Sequence, residues 1–226
     1  MNSTRPLVIA VTLVLTGHLA SAQDMSRYRV YALESSVDSV IAASGLRTGD
    51  AKTLHERPAT IQELQWRAPY ASSGNTLVDP VQDIAFTFYN DALYQVVVNY
   101  DPDRTAGLTN NDIIESISAT YGVPALASGK ARTSPADALP DSMVLARWET
   151  TESLVTLIRG SYTPDFQLIL ISKPLNTRAR SAIREAVRLD AVDAPRRESE
   201  LRKKEAGDAS VARDKARVTN KAAFRP

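Results

Sequence analysis

Residues 83–124 read DIAFTFYNDALYQVVVNYDPDRTAGLTNNDIIESISATYGVP, and their pattern decides the fold. Alternation marks two strands. Ile84, Phe86 and Phe88 share one face of the first, with Thr87 and Tyr89 on the other. Tyr94, Val96, Val98 and Tyr100 share a face of the second. A two-residue loop at Asn90–Asp91 pairs Phe86 with Gln95 and Ile84 with Val97. A three-residue loop, Asn90–Asp91–Ala92, pairs Phe88 with Tyr94, Phe86 with Val96 and Ile84 with Val98. Only the second register brings the two apolar sets onto one face, because a one-residue slip flips every side chain. The three-residue loop is therefore the expectation, and Asn and Asp tolerate the left-handed backbone it needs.

A helix follows the hairpin. Thr109 is placed to cap it, with Asp112 at its positive end. Ile113, Ile114, Ile117 and Tyr121 form one stripe, Gly122 suits the residue after the last turn, and Pro124 prevents continuation. This helix is expected to cover the apolar face of the sheet.

Upstream, Arg27–Tyr31 reads as a short strand. Ser35 or Ser36 caps a helix carrying Val37, Val40, Ile41 and Ser44, ended by Gly45. Residues 46–60 read as loop with a turn of helix at 51–56. Ile61–Arg67 is a strand containing Trp66, and 68–82 a long connection. Downstream, 124–141 is a Pro- and Gly-bearing loop and Ser142–Glu149 a strand containing Trp148. Ser153–Ser161 and Asp165–Lys173 form a hairpin around Tyr162-Thr163-Pro164. Thr177 is expected to cap a third helix over 178–190, with Ala179, Ala182, Ile183, Ala186 and Val187 on one side.

The parts recur. SVDSVIAASG (36–45) corresponds to DIIESISATYG (112–122), LQWR (64–67) to LARWE (145–149), and the hairpin at 83–100 to that at 153–173. Two readings stand: tandem helix–strand–hairpin units, or one α+β domain whose parts are alike by chance. The fold class is α+β in both, an antiparallel sheet with helices packed on one face and a charged C-terminal tail. The division is 1–22, signal peptide; 23–107, first unit; 108–177, second unit; 178–194, C-terminal helix; 195–226, flexible charged tail.

VDSVIAASG followed by a strand, together with FTFYNDALYQVVVNY, resembles the small exported bacterial modules of the β-lactamase inhibitory protein and of the outer-membrane assembly lipoprotein family called BamE or SmpA. The resemblance covers roughly residues 28–173 and implies helices on a curved antiparallel sheet and a role in binding proteins. It carries over no functional residue. The chain has no cysteine, so it can form neither the lipid anchor of the one family nor the disulfides of the other.

Residues 1–22 read as a secretory signal: Arg5 is the basic start, Leu7–Leu15 the apolar core and Ala20-Ser21-Ala22 an A-x-A cleavage site. The apolar run is too short to span a bilayer of ~30 Å. The expectation is a soluble, exported mature chain. A bacterial periplasm or extracellular medium suits a cysteine-free exported domain better than a eukaryotic secretory route.

Net charge is +1, so global charge points to no partner, but it is unevenly spread. Residues 178–226 hold 14 Lys and Arg against 8 Asp and Glu, whereas 23–177 hold 12 against 18. Arg180, Arg184 and Arg188 follow one another at i, i+4 spacing, and Arg196, Arg197, Arg202, Lys203 and Lys204 extend the basic set. These eight are the candidates for electrostatic contact with an anionic surface. The alternative is a solvated, partly helical tail. Without interleaved aromatics the tail does not suit specific nucleic-acid binding.

The candidates for chemistry are weak. His55 is the one histidine after the signal, it lies in a polar stretch, and no G-x-S-x-G elbow accompanies it. Asp101, Asp103, Thr105 and Asp112 approximate a twelve-residue calcium loop, but Ala106 stands where glycine is needed and a strand precedes it. Glu149 and Glu152 could do acid–base work, or simply be solvated beside a hairpin turn. Trp66 and Trp148 suit a core better than a binding platform. No catalytic, metal or cofactor site is assigned. The favoured function is an exported, non-enzymatic module that binds another envelope protein. The alternatives are a carboxylate-based hydrolase and an electrostatic binder of anionic envelope polymers.

The cleavage site sets the first expectation: the exported chain begins at Gln23. Intact-mass spectrometry of the exported protein checks it, and a mass that retains residues 1–22 would refute the signal.

Overall fold

A computed structural model describes residues 24–69, 79–127, 142–160, 165–223 and 225. The expected signal peptide and Gln23, most of the connection 68–82, most of the loop 124–141 and the turn at Tyr162-Thr163-Pro164 lie outside the described residues. The fold is α+β. In chain order the elements are β1 (Arg27–Tyr28), β2 (Tyr31–Ala32), α1 (Val37–Ser44), β3 (Lys52–His55), β4 (Ile61–Arg67), β5 (Val81–Tyr89) and β6 (Ala92–Tyr100). There follow α2 (Pro102–Thr105), α3 (Asn110–Tyr121), β7 (Leu126–Ala127), β8 (Ser142–Glu149), β9 (Ser153–Gly160), β10 (Phe166–Ser172) and α4 (Lys173–Ala223).

Among the described residues eight strands form one antiparallel sheet in the order β3-β4-β5-β6-β10-β9-β8-β7, and β1 and β2 form a separate pair. The sheet is two meanders laid edge to edge. The first runs outward to inward through β3, β4, β5 and β6, the second through β7, β8, β9 and β10. A helix precedes each, α1 before the first and α3 before the second. They join where β6 pairs with β10, from Gln167↔Asn99 to Ile171↔Gln95.

The hairpin resolves the choice of register in an unexpected way. The turn is the two-residue one: Asn90 and Asp91 both adopt positive φ, 47° and 68°, and Tyr89 pairs with Ala92. Such a turn matches the twist of the flanking strands. Phe88 then pairs with Leu93, not with Tyr94 as expected. A bulge follows at once, and beyond it Phe86 faces Val96 and Ile84 faces Val98, as the apolar pattern requires. The extra residue of the bulge is Tyr94, which turns to the opposite face of the sheet. Leu93 uses its backbone beyond the hairpin, accepting from the amide of Glu34 at 2.7 Å and donating to the carbonyl of Ser35 at 2.9 Å. Asp91 accepts from the amide of Val37 at 3.0 Å, so the hairpin turn holds the start of α1.

One face of the sheet carries the main core. Leu64, Ile84, Phe86, Phe88, Leu93, Val96, Val98, Leu145, Trp148, Val155, Leu157, Phe166 and Leu168 are buried there under Val37, Val40 and Ile41 of α1 and Ile113, Ile117 and Tyr121 of α3. The caps are the expected ones. Ser36 accepts from the amide of Ser39, Gly45 takes φ 71° and donates to Ile41, and Thr109 and Asp112 bond reciprocally. Trp148 is fully buried and donates from Nε1 to the carbonyl of Gly122 at 2.7 Å, tying β8 to the end of α3.

The other face carries α4. Ile61, Tyr94 and Ala179 form a buried cluster with Tyr89, Leu175 and Ile183 against it. A second apolar cluster on that face joins Val144, Ile158, Ile169 and Ile171. The sheet thus has helices on both faces, with α1 and α3 on the one that the sequence pattern identifies.

Four further expectations are corrected. Residues 51–56 are not helical: a 3-10 turn at Thr48–Asp50 leads into β3 as an edge strand. Arg27–Tyr31 is no single strand but the start of a tight pair, with Arg29 at φ 53° between β1 and β2. Thr177 caps nothing, since α4 begins at Lys173 and the Thr177 hydroxyl donates back to the Lys173 carbonyl at 2.9 Å. Nor does that helix end near 190; it continues through Pro195 to Ala223.

Phe86 is fully buried between the sheet and Tyr31, whose ring centroid lies 4.6 Å away. Phe86→Ala should cost ~3–5 kcal/mol. Urea unfolding checks this, and an unchanged midpoint would show that β5 does not bury this face.

Candidate functional site

The long helix α4 divides into two parts by burial. Up to Ala186 it has an inner side: Ala179, Ala182 and Ala186 are buried, while Leu175 and Ile183 pack on Tyr94 and Ile61. The alanines let the helix axis approach the sheet closely. From Pro195 to Ala223 every residue is exposed. This segment holds its shape by local pairing alone. Arg196 pairs with Glu200 at 3.0 Å, and Arg202 pairs with Glu198, both at i, i+4. Such pairs contribute about 0.3–0.5 kcal/mol each.

The eight basic candidates are distributed over both parts. Arg180 is half-buried, whereas Arg184 and Arg188 are exposed. Arg188 is bidentate to Glu185 at 2.7 and 2.9 Å. Arg196 and Arg202 form the pairs above, Arg197 turns back to Asp190, and Lys203 and Lys204 are exposed. The arginines therefore spend much of their charge within their own helix. They do not converge on one patch.

What the sequence pattern does not reveal is where α4 leaves the body. There the edge strand β3 and the helix frame a polar groove of about 330 Å³, lined by Thr53, Leu54, His55, Glu56, Arg57, Asp190 and Arg197. Arg57 pairs with Asp193 and lies 3.8 Å from Asp190. Arg197 donates to the Asp190 carboxylate at 3.2 Å and to its carbonyl at 3.0 Å. The bond from Arg57 holds the Asp193 carboxyl below the usual carboxylate range. Two arginines and two aspartates thus satisfy one another across elements remote in the chain. Nothing in the local pattern around Arg57 marks it as the partner of an aspartate in α4.

The remaining candidates have structural uses. Asp101 caps α2, accepting from the amide of Asp103 at 2.9 Å, and Asp112 caps α3. These carboxylates serve helix ends, and among the described residues no group of three or more His, Asp or Glu side chains could hold a metal. Glu149 pairs with Lys173 at 3.1 Å. Trp66 is half-buried against the main core. No helix among the described residues is long and apolar enough to cross a membrane.

A tyrosine cluster is the most perturbed set of titratable groups. Burial raises Tyr28, Tyr100 and Tyr121, Tyr100 to about 12 and the other two further. Tyr121 donates to the Arg27 carbonyl at 2.9 Å. Arg29 lies over the Tyr28 ring at 5.3 Å and forks onto Asp79 at 2.6 and 2.7 Å. Raised values keep these phenols neutral at ordinary pH, so they fasten the β1–β2 pair to the sheet and do not suit proton transfer there. Linkage gives the sign. Each phenol has a folded value above its unfolded value near 10, so its contribution is complete below pH ~10 and is lost as pH rises toward the folded values. Urea midpoints should fall steeply from about pH 10 to 12, and Tyr100→Phe should flatten that limb. An identical limb in the variant would contradict the assignment.

Compared with known proteins, the chain matches no family model, no curated protein and no solved structure, so its reading rests on its own geometry.

Proposed function

We propose that this protein is an exported, non-enzymatic module of the bacterial envelope or extracellular space that binds another protein, with residues 195–223 as its binding arm. The observation that carries the reading is the exposure of every residue in that segment. A helix of this length runs roughly 44 Å. Isolated helices are marginal in water, and most helical stability in proteins comes from tertiary packing. Within the described chain this arm has none. A partner that packs along it would supply what is missing, as in recognition of a helix by a groove. Val211 and Val218 stand exposed on the arm, 69% and 72%, as contacts such a partner could bury.

Export is supported by the signal-like residues 1–22. The resemblance to exported protein-binding modules supports the same role. Contact with anionic envelope polymers through the same arm is the weaker reading, because Arg196 and Arg202 already hold carboxylates.

A photo-crosslinking residue at Val211 in the full chain, activated in intact envelopes, should trap one discrete protein, and high salt should not abolish it. Truncation after Ala194 should leave the unfolding midpoint nearly unchanged. Crosslinks only to polysaccharide or lipid, or crosslinks lost in salt, would favour the electrostatic reading instead.

A further inference from the structure

We infer that Pro195 is a hinge and that Asp190, held by Arg57 of the body and by Arg197 of the arm, is the latch that fixes the direction of the arm. Three observations converge. Pro195 lies inside α4 and has no amide hydrogen, so the carbonyl one turn earlier loses its helical donor. Sharp bends in helices concentrate at proline. Immediately before Pro195, Arg57 reaches from just beyond β3 to Asp190 and Asp193. Immediately after it, Arg197 reaches back over the proline to the Asp190 carbonyl and carboxylate. Asp190 is therefore held from both sides of the proline, by the body through Arg57 and by the arm through Arg197. His55 and Glu56 line the same groove.

The strength of the latch suits a device that opens. Its ion pairs are half-exposed: the side chains of Arg57 and Asp190 retain 53% and 49% of their surface. Exposed pairs are individually weak and screened by salt. With the latch closed, the arm has one direction relative to the sheet. With it open, the helix can bend at Pro195. A change of ~20° there would move residue 212 by roughly 9 Å, given ~1.5 Å of rise per residue. An arm that must find a partner gains from such a sweep. That use rests on the binding reading above, but the hinge itself does not.

The absence of cysteine permits a direct test. Glu115→Cys on α3 and Ala212→Cys on the arm, both exposed, take a pair of spin labels in the full chain. Electron–electron distance measurement at low salt should give one narrow distribution. Arg57→Ala should broaden it about twofold or more, and so should high salt. Adding Pro195→Ala to Arg57→Ala should restore the narrow distribution, because a helix without the proline has no weak point. Arg196→Ala, which breaks only a pair within the arm, should change nothing. If Arg57→Ala does not fold, Asp193→Asn serves in its place. A broad distribution in the unmutated chain, or one that Arg57→Ala or Asp193→Asn leaves unchanged, would overturn the latch. The measurement uses no partner, so its failure is distinct from failure of the crosslink at Val211.

Discussion

The pairing of β6 with β10 is the constraint on which the rest depends. Each meander alone would offer a sheet with an open inner edge and half a core. Five registered pairs, from Gln167↔Asn99 to Ile171↔Gln95, close both edges at once. They also align the apolar faces: Leu168 comes opposite Val98 and Leu170 opposite Val96, so the phenylalanines of β5 and the buried Trp148 of β8 belong to one continuous core. A slip of one residue at this junction would send half of that core to the other face. The two strands left outside, β3 and β7, are four and two residues long, and short edges offer little to an unwanted strand.

The same junction explains why α4 exists as a covering element. β10 ends beside the bulge of β6, and the chain enters α4 at Lys173 without a loop. Lys173 is held at that corner by its amide to the Glu152 carbonyl and its ammonium to Glu149. From there the helix meets Tyr94, which the bulge has turned out of the main core. The irregularity in β6 thus serves both faces. Leu93 goes inward under the α1 entry, and Tyr94 goes outward to anchor the helix. A regular hairpin would have lost one of these two contacts.

How much of this was legible follows from sequence range. The hairpin strands, α1, α3 and their caps are local patterns, and they are where the sequence places them. The same holds for Trp148, a tryptophan on a short strand that suits a core better than a binding platform. Both hairpin registers considered were partly right, because the turn obeys local backbone preference and the bulge then obeys the core. No periodicity announces a bulge. Residues 51–56 misled because an edge strand of four residues, exposed along most of its length, leaves no apolar alternation to read. The end of α4 was hidden by Pro195, which ordinarily marks a boundary and here lies within a helix kept by i, i+4 pairs. Arg57 was invisible as a partner of Asp190 and Asp193, since no local signal links residues so far apart in the chain.

The docking of α4 shows how apolar and polar contacts divide the work. Its inner side is mostly alanine, and an alanine buries little area, so at ~25 cal/mol per Å² this face stabilises far less than the leucines and isoleucines beneath α1 and α3. Leu175 and Ile183 contribute the larger apolar contacts, and beyond Ala186 no described residue of the helix is fully buried. The polar network at Asp190 therefore acts beyond the last buried residue of the helix and before Pro195 in its interior. Had the helix been fastened there by a large side chain in the core, its continuation would be rigidly directed under all conditions. Fastened instead by half-exposed charges, it depends on ionic surroundings and on competing charges. An arm attached this way can add almost nothing to the stability of the body and still change its direction.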